Sequence, residues 1–481
     1  MSIPPGVDFI ARSVLDFLLP CVPVYPSLAL ANTHLLDSSL PKWALAVSSL
    51  ALRIAYIILK PWVNEYQDEK VARAHGAILV PHIKEDHLKL VKSLVHDLDD
   101  GYPMDTLGEL CEKYGSPTLR FSIGVDQVHF TIEPEHIKSM LATEFDAFEK
   151  GDELRSQLGS LLGTGVFNVD GDMWRFHRSI TRPFFTRDRV TDFDNFEKHS
   201  QEALKRAKAR LAEGYPIDFQ DLVARFTLDS ATEFLFKHDF HSLDAPLPYP
   251  QSSSTSGKAQ SRSENTDHPS NTFVHALMMS QDIIARRATI GGTWPLFEFW
   301  GDKAKPFRET LDHFVQPFLE KGLREKENRS EESEDTKAAL LDYLVDKTSD
   351  QNIIKDELVN LLVAGRDTTS SLLTFSLYML IEHPEVEQRL RKEILEKVGS
   401  ERSPTIEDIR DLRYLRAFLN EVLRLYAIVP ANSRSSTKPI ILPPPAGFDK
   451  PLYLPAGSRF GYSVFLMHRR TDLWGPDAHR I

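Results

Sequence analysis

The spacing of apolar residues along the chain predicts two kinds of structure after about Gly76. Most apolar residues recur every three to four positions, which is the spacing of helices with one buried face. Long helices are predicted at Ile353–Ile381, Pro384–Val398 and Leu412–Tyr426. Around Gly124 to Gln127 apolar and polar residues alternate instead, which predicts a β-hairpin with apolar positions at Leu119, Phe121, Ile123, Val128, Phe130 and Ile132. The sequence therefore predicts a mainly α-helical fold with a minor β-sheet.

The amino-terminal part of the chain has a different pattern. Trp43–Leu59 is a mostly apolar run between Lys42 and Lys60. At about 1.5 Å per residue it reaches about 25 Å, slightly short of a hydrocarbon core of about 30 Å. Arg53 inside the run is costly unless its charge reaches an interface. We predict a transmembrane helix at about 43–59 within a membrane-associated anchor of residues 1–75, with a buried core helix as the alternative.

A second apolar stretch, Phe9–Leu30, precedes this helix and contains three prolines, Pro20, Pro23 and Pro26. Prolines break a straight helix, so the stretch is predicted to be a re-entrant or interfacial segment. A cleaved signal peptide is the alternative, and it is less favoured because no positively charged segment precedes the stretch.

Two polar tracts, Pro246–Asn271 and Arg324–Thr336, interrupt the rest of the chain. Neither has enough apolar residues to bury, so both are predicted to be mobile surface loops. A linker between two domains is the alternative for the first tract. An insertion at about 246–271 is preferred, because the helical segments on either side have no separate core pattern of their own. Residues 76–481 are therefore predicted to form one domain.

The composition excludes several classes of protein. Apolar residues make up 42% of the 481 residues, which suffices for a large buried core. The formal net charge of −12 argues against a general nucleic-acid-binding protein, because phosphate recognition needs a basic excess. The two cysteines, Cys21 and Cys111, form no disulfide framework or zinc motif. Most of the protein is therefore expected to face the cytosol.

The helix around Gly365 concentrates residues that can carry chemistry. Gly365 removes a side chain midway along an apolar helix, which lets a flat group approach the backbone. Asp367, Thr368 and Thr369 place an acid and hydroxyls beside that gap. Threonine hydroxyls can bond to helix carbonyls and distort the helix, which makes room for a small ligand or water. An ordinary helix with a packing glycine and a polar patch is an equally good interpretation of this motif alone.

Two further motifs place charged groups at helical spacing. Glu421 and Arg424 lie three residues apart on an otherwise apolar helix, where they can form a charge-assisted pair. Trp174 and Arg178 lie one turn apart and suit a carboxylate such as a cofactor propionate. Taken singly, a solvated ion pair and a packed tryptophan beside a surface arginine are the commoner interpretations.

Together, in this order and spacing, these segments resemble the cytochrome P450 family, and the resemblance covers nearly the whole chain after the anchor. Phe465–Ala478 resembles the approach to the meander of that family. Membrane-anchored fungal members that oxidise alkanes and fatty acids, near the CYP52 and CYP63 groups, look most similar, especially over Phe167–Val190. The resemblance implies the cytochrome P450 fold.

The resemblance also implies a role for each residue singled out above. Asp367 and Thr368 correspond to the acid–alcohol pair that relays protons to iron-bound dioxygen. Glu421 and Arg424 correspond to a structural pair that supports the haem core. The positions implied to bind the cofactor, haem b, are Trp174, Arg178, Arg434 and Gly365.

By the same resemblance the full-length protein is a haem-thiolate monooxygenase that inserts one oxygen atom from dioxygen into an apolar alkyl, fatty-acid or hydrocarbon substrate. Its electrons come from NADPH through NADPH-cytochrome P450 reductase. An acidic reductase would meet a basic cluster on this chain, which comprises Arg175, Arg178, Arg182, Arg187 and Arg189. The expected partners are this reductase, the apolar substrate and membrane lipid, and the expected location is the endoplasmic reticulum membrane with the catalytic domain in the cytosol.

The chain departs from the family pattern in its iron ligand. The glycine-rich loop with the axial cysteine is expected beyond Ile481, so no metal ligand is assigned within this chain. Cys111 lacks the glycine-rich surroundings and Cys21 lies in the membrane-associated segment, so both are interpreted as structural thiols. His177 and His468 are the alternative ligands, although packing histidines are far commoner.

Two hypotheses of different class follow from this departure. In the first, the chain is a C-terminally truncated monooxygenase with poor turnover as it stands, because the thiolate donates the electron density that favours O–O cleavage. In the second, it is a membrane-anchored, non-catalytic binding protein or a fragment without haem. Uptake of haem with a thiolate-type spectrum in the reduced, CO-bound protein distinguishes the first from the second.

Overall fold

A computed structural model of the protein describes residues 3–34, 40–123, 126–185, 193–250, 268–328 and 339–481. Most of these residues are helical. The α-helices are α1 Pro5–Leu18, α2 Cys21–His34, α3 Lys42–Ala74, α4 His87–Asp99, α5 Asp105–Tyr114, α6 Pro134–Lys138, α7 Gly151–Leu162, α8 Gly171–Thr181, α9 Phe193–Ala212, α10 Phe219–Phe236, α11 Pro269–Ile290, α12 Lys305–Asn328, α13 Leu340–Lys347, α14 Gln351–Glu382, α15 Pro384–Lys397, α16 Ile406–Asp411, α17 Arg413–Leu425, α18 Val464–Met467 and α19 Thr471–Trp474.

Two small sheets accompany the helices. Their strands are β1 Ile78–Leu79, β2 Thr118–Ile123, β3 Asp126–Thr131, β4 Phe148–Glu149, β5 Ala431–Ser436, β6 Ile440–Leu442, β7 Leu452–Leu454 and β8 Arg459–Ser463. One sheet has the order β2-β3-β8-β5-β4 and the other β1-β7-β6. The predicted hairpin is confirmed, because β2 and β3 pair antiparallel with Leu119 opposite Phe130 and Phe121 opposite Val128. These four side chains are buried on one face of the sheet, as alternation requires.

The long helix α14 runs through the main hydrophobic core and packs most extensively against α10. Asp350 caps its start by accepting hydrogen bonds from Asn352 N at 2.9 Å and Ile353 N at 3.3 Å. Pro384 follows its end and begins α15, since proline suits the first turn of a helix and cannot continue one. The three long helices predicted from periodicity are confirmed, with bounds that differ by one or two residues.

Polar side chains of α14 hold the loop that leads into α8. Asp356 Oδ2 accepts from Thr164 N at 2.7 Å, Glu357 Oε2 from Val166 N at 3.0 Å, and Asn360 Oδ1 from Phe167 N at 3.1 Å. Glycines let the loop lie against the helix: a Cβ on Gly163, which has φ +52°, would come within 2.2 Å of Asp356, and one on Gly165 within 2.3 Å of Asn360. The loop therefore fixes the start of α8 relative to α14.

The amino-terminal segment forms three helices, α1 to α3. Within the described residues, two stretches are long and apolar enough to cross a membrane by length and composition, Pro5–Thr33 and Lys42–Ala74. The helix predicted to end near residue 59 continues to Ala74, with Pro61 inside it. Arg53 Nη2 donates to Asp16 O at 2.8 Å, so its charge is not left alone on the apolar helix.

One end of each predicted surface loop is helical instead. Residues 269–271 begin α11 and residues 324–328 complete α12, so these ends of the two polar tracts are helical. Local polarity was a poor guide there, because both helices also have a face that packs in the core. Residues 251–267 and 329–338 lie outside the described residues.

Candidate functional site

The acid and the alcohol of the Gly365 motif lie side by side on α14. Thr368 Oγ1 donates to Ala364 O at 2.6 Å, which is the carbonyl bonding that the sequence predicts for this threonine. Asp367 is held on both sides: Oδ1 accepts from Arg366 Nη1 at 2.5 Å and Oδ2 from Gln281 Nε2 at 2.5 Å. Sequence analysis missed Gln281, because it lies 86 residues away on α11 and only packing brings it to Asp367.

Gly365 faces a neighbouring helix. A Cβ placed on Gly365 would lie 3.5 Å from the Cβ of Ala231 in α10, which is ordinary van der Waals contact. The packing of α10 against α14 therefore leaves room for a methyl group at this position and does not itself require a glycine. A cofactor-binding role for Gly365 stays a prediction.

Trp174 and Arg178 both lie on α8, whose start is firmly held. Asp170 accepts from Lys150 N at 2.8 Å and from Arg155 Nη1 at 2.5 Å. Trp174 is half-buried and its ring lies 5.4 Å from that of Phe145. The guanidinium of Arg178 is exposed and has no carboxylate partner within the described residues.

Arg434 lies on β5, and the sheet brings this strand toward α8. Phe148, three residues after the Phe145 that contacts Trp174, pairs with Ser436 of β5. Arg434 Nη1 donates to Asn432 Oδ1 at 3.0 Å and to Ser433 O at 2.7 Å. In the part of the chain that the structure describes, no carboxylate pairs with its guanidinium. Two arginines and a tryptophan N–H that lack acidic partners fit a ligand with carboxylate groups.

Glu421 and Arg424 form a bidentate pair on α17. Arg424 Nε donates to Glu421 Oε2 at 2.9 Å and Nη2 to Oε1 at 2.6 Å. The guanidinium, which is 6% exposed, also donates to three backbone carbonyls of the carboxyl-terminal segment: His468 O at 2.8 Å, Ala478 O at 2.5 Å and Arg480 O at 3.0 Å. The pair therefore ties this segment to α17, and these acceptors lie too far along the chain for sequence reasoning to find.

Neither cysteine is placed as a metal thiolate. Cys111 is buried among apolar side chains of α4, α5 and the hairpin, and this burial raises the pKa of its thiol to about 12. Cys21 lies in α2, where its Sγ contacts Phe17 O at 3.7 Å. The residues present therefore fit the carboxylate side of a haem, whereas neither Cys21 nor Cys111 is placed as its axial sulfur ligand.

The two histidines considered as alternative ligands have other neighbours. His177 is fully buried, with Nδ1 2.7 Å from Oε2 of the equally buried Glu357. The ring of His468 packs edge-on against Trp474 at 5.8 Å, and burial lowers the pKa of this histidine. Both contacts are typical of packing histidines.

An apolar cavity of about 400 Å³ lies against residues 430–433, which directly precede Arg434 in the chain. The hairpin, α4, α7 and α11 surround it together with the segment 430–433. Its apolar lining includes Leu94, Phe121, Leu154, Leu158, Ala288 and Pro430. Sequence reasoning could not assemble this lining, because its members come from distant parts of the chain.

Comparison with known proteins agrees with this geometry. The family model described as Cytochrome P450 matches residues 91–480. The chain is 31% identical over 473 residues to Cytochrome P450 52A6 of Candida tropicalis, covering 93% of this chain and 84% of the relative. It is 34% identical over 400 residues to Cytochrome P450 monooxygenase g430 of a Fusarium species (81% and 68% coverage) and 35% identical over 369 residues to Cytochrome P450 52A3-A of Candida maltosa (74% and 67%).

The fold and site thus define an oxidoreductase of the monooxygenase class. The chain belongs to the cytochrome P450 family, and its similarity to the fungal 52A proteins confirms the resemblance stated from sequence. The helical architecture with minor sheets is that of the family, as expected.

Proposed function

We propose that the protein is a monooxygenase whose substrate is an apolar alkyl chain, fatty acid or hydrocarbon. The observation that carries this proposal is the cavity of about 400 Å³ at residues 430–433, because its lining is mostly aliphatic and aromatic. The two charged side chains in the lining already have partners: Asp97 accepts from Thr106 N at 2.9 Å, and Arg459 pairs with Glu153. A polar substrate would find few free groups to bind there.

The residues that would hold haem b are those that have no acidic partner among the described residues. Trp174, Arg178 and Arg434 would bind its propionates, and the Glu421–Arg424 pair would support the structure behind it. When bound with a thiolate ligand, haem supplies the activation of dioxygen. Because Cys21 and Cys111 are placed elsewhere, residues 1–481 alone are expected to give poor turnover.

Asp367 and Thr368 are proposed to handle protons. Rotation of the Thr368 hydroxyl away from Ala364 O would let it hold a water molecule beside the helix. The Asp367 carboxylate, oriented by Arg366 and Gln281, would exchange a proton with solvent, since it is partly exposed. Together these two groups would carry a proton inward from solvent while keeping other water molecules out.

We propose that electrons come from NADPH through NADPH-cytochrome P450 reductase, which would approach the basic side of α8. Arg175 and Arg178 are exposed there, as is Arg182 directly after the helix. Arg187 and Arg189, which complete the predicted cluster, lie outside the described residues. An acidic partner would be attracted to such a cluster.

Residues 1–75 are proposed to anchor the protein in the endoplasmic reticulum membrane, with residues 76–481 forming the cytosolic catalytic domain. The apolar stretches Pro5–Thr33 and Lys42–Ala74 support an anchor. Exposed Trp43, Trp62 and Tyr66 on α3 suit the membrane interface.

Substrate binding tests the proposal directly. Ala288→Phe would fill part of the cavity, whereas Met278→Phe on the same helix changes an exposed position outside it. We expect Ala288→Phe to weaken binding of dodecane and lauric acid by about tenfold, since one kcal/mol or more of apolar contact is lost. Met278→Phe should bind both normally, and equal binding by the two variants would refute the assignment of the cavity.

Haem content tests the alternative of a non-catalytic binding protein, which the placement of Cys21 and Cys111 favours for the chain alone. The measurement is the spectrum of the reduced, CO-bound protein. A thiolate-type spectrum from residues 1–481 would refute the expectation of poor turnover. No haem uptake combined with tight binding of lauric acid would support the binding protein instead.

A further inference from the structure

A second polar cluster lies away from the residues discussed above, between α9, α10 and the turn that follows α10. It borders a cavity of about 490 Å³. Nitrogen or oxygen atoms of His199, Asp229 and Asp239 all lie within 4.8 Å of one another. His199 and Asp229 are almost completely buried, whereas Asp239 is partly accessible from the cavity.

The orientation of His199 leaves one ring nitrogen facing carboxylates. Its Nε2 contacts Glu233 Oε2 at 2.6 Å, so this nitrogen carries the proton and donates it to the carboxylate. The other nitrogen, Nδ1, lies 3.9 Å from Asp239 Oδ2, too far for a hydrogen bond. The side chain is only 3% exposed, and Nδ1 has no hydrogen-bond partner within the described residues. A carboxylate that fixes the far nitrogen of a histidine is the usual arrangement behind a metal ligand.

The carboxylates are also held in place. Asp239 Oδ1 accepts from His241 N at 2.8 Å, which leaves Oδ2 facing the cluster. Asp229 accepts from the backbone N–H groups of Ser242 at 2.8 Å and Leu243 at 2.9 Å, and each of its oxygens keeps a free lone pair. Backbone N–H groups therefore fix both carboxylates beside His199.

Two separations around Asp239 are near those of a zinc site. Bonds of about 2.0 to 2.2 Å in a tetrahedron place neighbouring ligand atoms about 3.3 to 3.6 Å apart. His241 Nδ1 lies 3.4 Å from Asp239 Oδ2, and His199 Nδ1 lies 3.9 Å from the same oxygen. The His241 side chain is 61% exposed and can rotate toward the cluster.

Lys198 supplies the positive charge at this place. Its ammonium lies 2.7 Å from Glu233 Oε2 and 3.3 Å from Asp239 Oδ2, and its side chain is 54% exposed. Because the lysine side chain is exposed and flexible, its ammonium group can move away and a metal ion can take its place beside the carboxylates.

We propose that His199, Asp229, Asp239 and His241 form a structural zinc site that joins α9, α10 and the turn after α10, with Glu233 orienting His199 and Lys198 occupying the place of the metal in its absence. The mixed nitrogen and oxygen donors favour zinc over magnesium and calcium, which prefer oxygen ligands alone. The site is independent of the oxygenase chemistry.

Zinc titration of the purified full chain in detergent, after treatment with a chelator, tests the proposal. We expect one equivalent of zinc to bind and to raise Tm by about 3 °C when zinc is at a hundred times its Kd. Cobalt should give the visible spectrum of a tetrahedral site. The absence of stoichiometric binding, or an equal rise in Tm with magnesium, would refute the proposal.

Variants locate the ion. Asp239→Asn should weaken zinc binding by about tenfold or more, because the central carboxylate is lost. Lys198→Gln should strengthen it, because the competing ammonium is removed while every ligand stays. His241→Ala changes an exposed position, so it tests the site even if the Asp239 variant fails to fold. His96→Gln, an exposed histidine elsewhere, is the control. Unchanged zinc affinity in both Asp239→Asn and His241→Ala would place the ion elsewhere and refute the site.

Discussion

Replacing Arg424 by methionine removes the group that ties the carboxyl-terminal segment to α17. The guanidinium makes two bonds to Glu421 and three to the carbonyls of His468, Ala478 and Arg480. Methionine keeps much of the apolar stem but leaves those carbonyls without their donor. The variant therefore isolates the charged group from the packing around it.

The expected loss of folding stability in Arg424→Met follows from the burial of the Arg424 guanidinium. Removing one partner of a buried, hydrogen-bonded ion pair costs about 3–5 kcal/mol. Arg424 is 6% exposed, but the Glu421 side chain is 34% exposed and water can solvate it after the change. We therefore expect a loss at the lower end, about 3 kcal/mol. Glu421→Gln is the matched control, since it keeps a hydrogen-bonding side chain and all three carbonyl contacts; it should cost about 1 kcal/mol.

Hydrogen exchange of backbone amides, together with urea unfolding, measures both effects. In Arg424→Met, amides of residues 464–481 should exchange faster than those of the β2–β3 hairpin, because the tie that is lost is local. Glu421→Gln should leave the exchange of this segment nearly unchanged. Uniform acceleration throughout the protein, or a loss below about 1 kcal/mol in Arg424→Met, would refute the reasoning.

Three further changes have expected outcomes. Gly163→Ala should lower the free energy of unfolding in urea by about 3 kcal/mol, because a Cβ at φ +52° would overlap a carboxylate of α14. Gly214→Ala, at φ +82° in open space, should lower it by only about 1 kcal/mol. Equal losses in the two variants would contradict the steric argument. In a form of the enzyme that binds haem through a thiolate, Gln281→Leu should lower the product formed per oxygen consumed by about fivefold, because Asp367 loses a bond worth about 1 kcal/mol. Unchanged coupling would exclude this positioning role. Burial lowers the pKa of His129 to about 3, so between pH 6.5 and 3 this histidine is protonated in the unfolded chain but neutral in the folded chain. The free energy of unfolding should therefore fall by about 1.4 kcal/mol per pH unit as the pH decreases through this range. His129→Phe should flatten this pH dependence when it is measured by urea unfolding.

Local patterns in the sequence were sufficient for the elements themselves. The alternation around Phe121 predicted β2 and β3, and helical periodicity predicted α14, α15 and α17 to within one or two residues. These signals are local, because the side chains of one face recur at the period of the backbone. The motifs around Thr368, Trp174 and Arg424 likewise pointed to the family that the comparisons confirm.

The same local reasoning failed where distant contacts decide the structure. Residues 324–328 are polar and were predicted as a loop, yet they complete α12, whose apolar face is buried earlier in the helix. The helix predicted to end at about residue 59 continues to Ala74, because its last turns pack near β1 and β7 and bury Ala72. The composition of these segments does not reveal such tertiary contacts.

The sequence by itself determined the helical class, the hairpin, the residues of the oxygenase motifs and the family. The tertiary structure decided which groups those residues meet: Gln281 at Asp367 and the backbone carbonyls at Arg424. It placed the loop with Gly163 and Gly165 against α14 and formed the apolar cavity at residues 430–433. It also brought His199 to Asp239 at the proposed zinc site. The physical reason is that backbone periodicity acts over a few residues, whereas partners such as Gln281 and Asp367, 86 residues apart, meet only when the core packs.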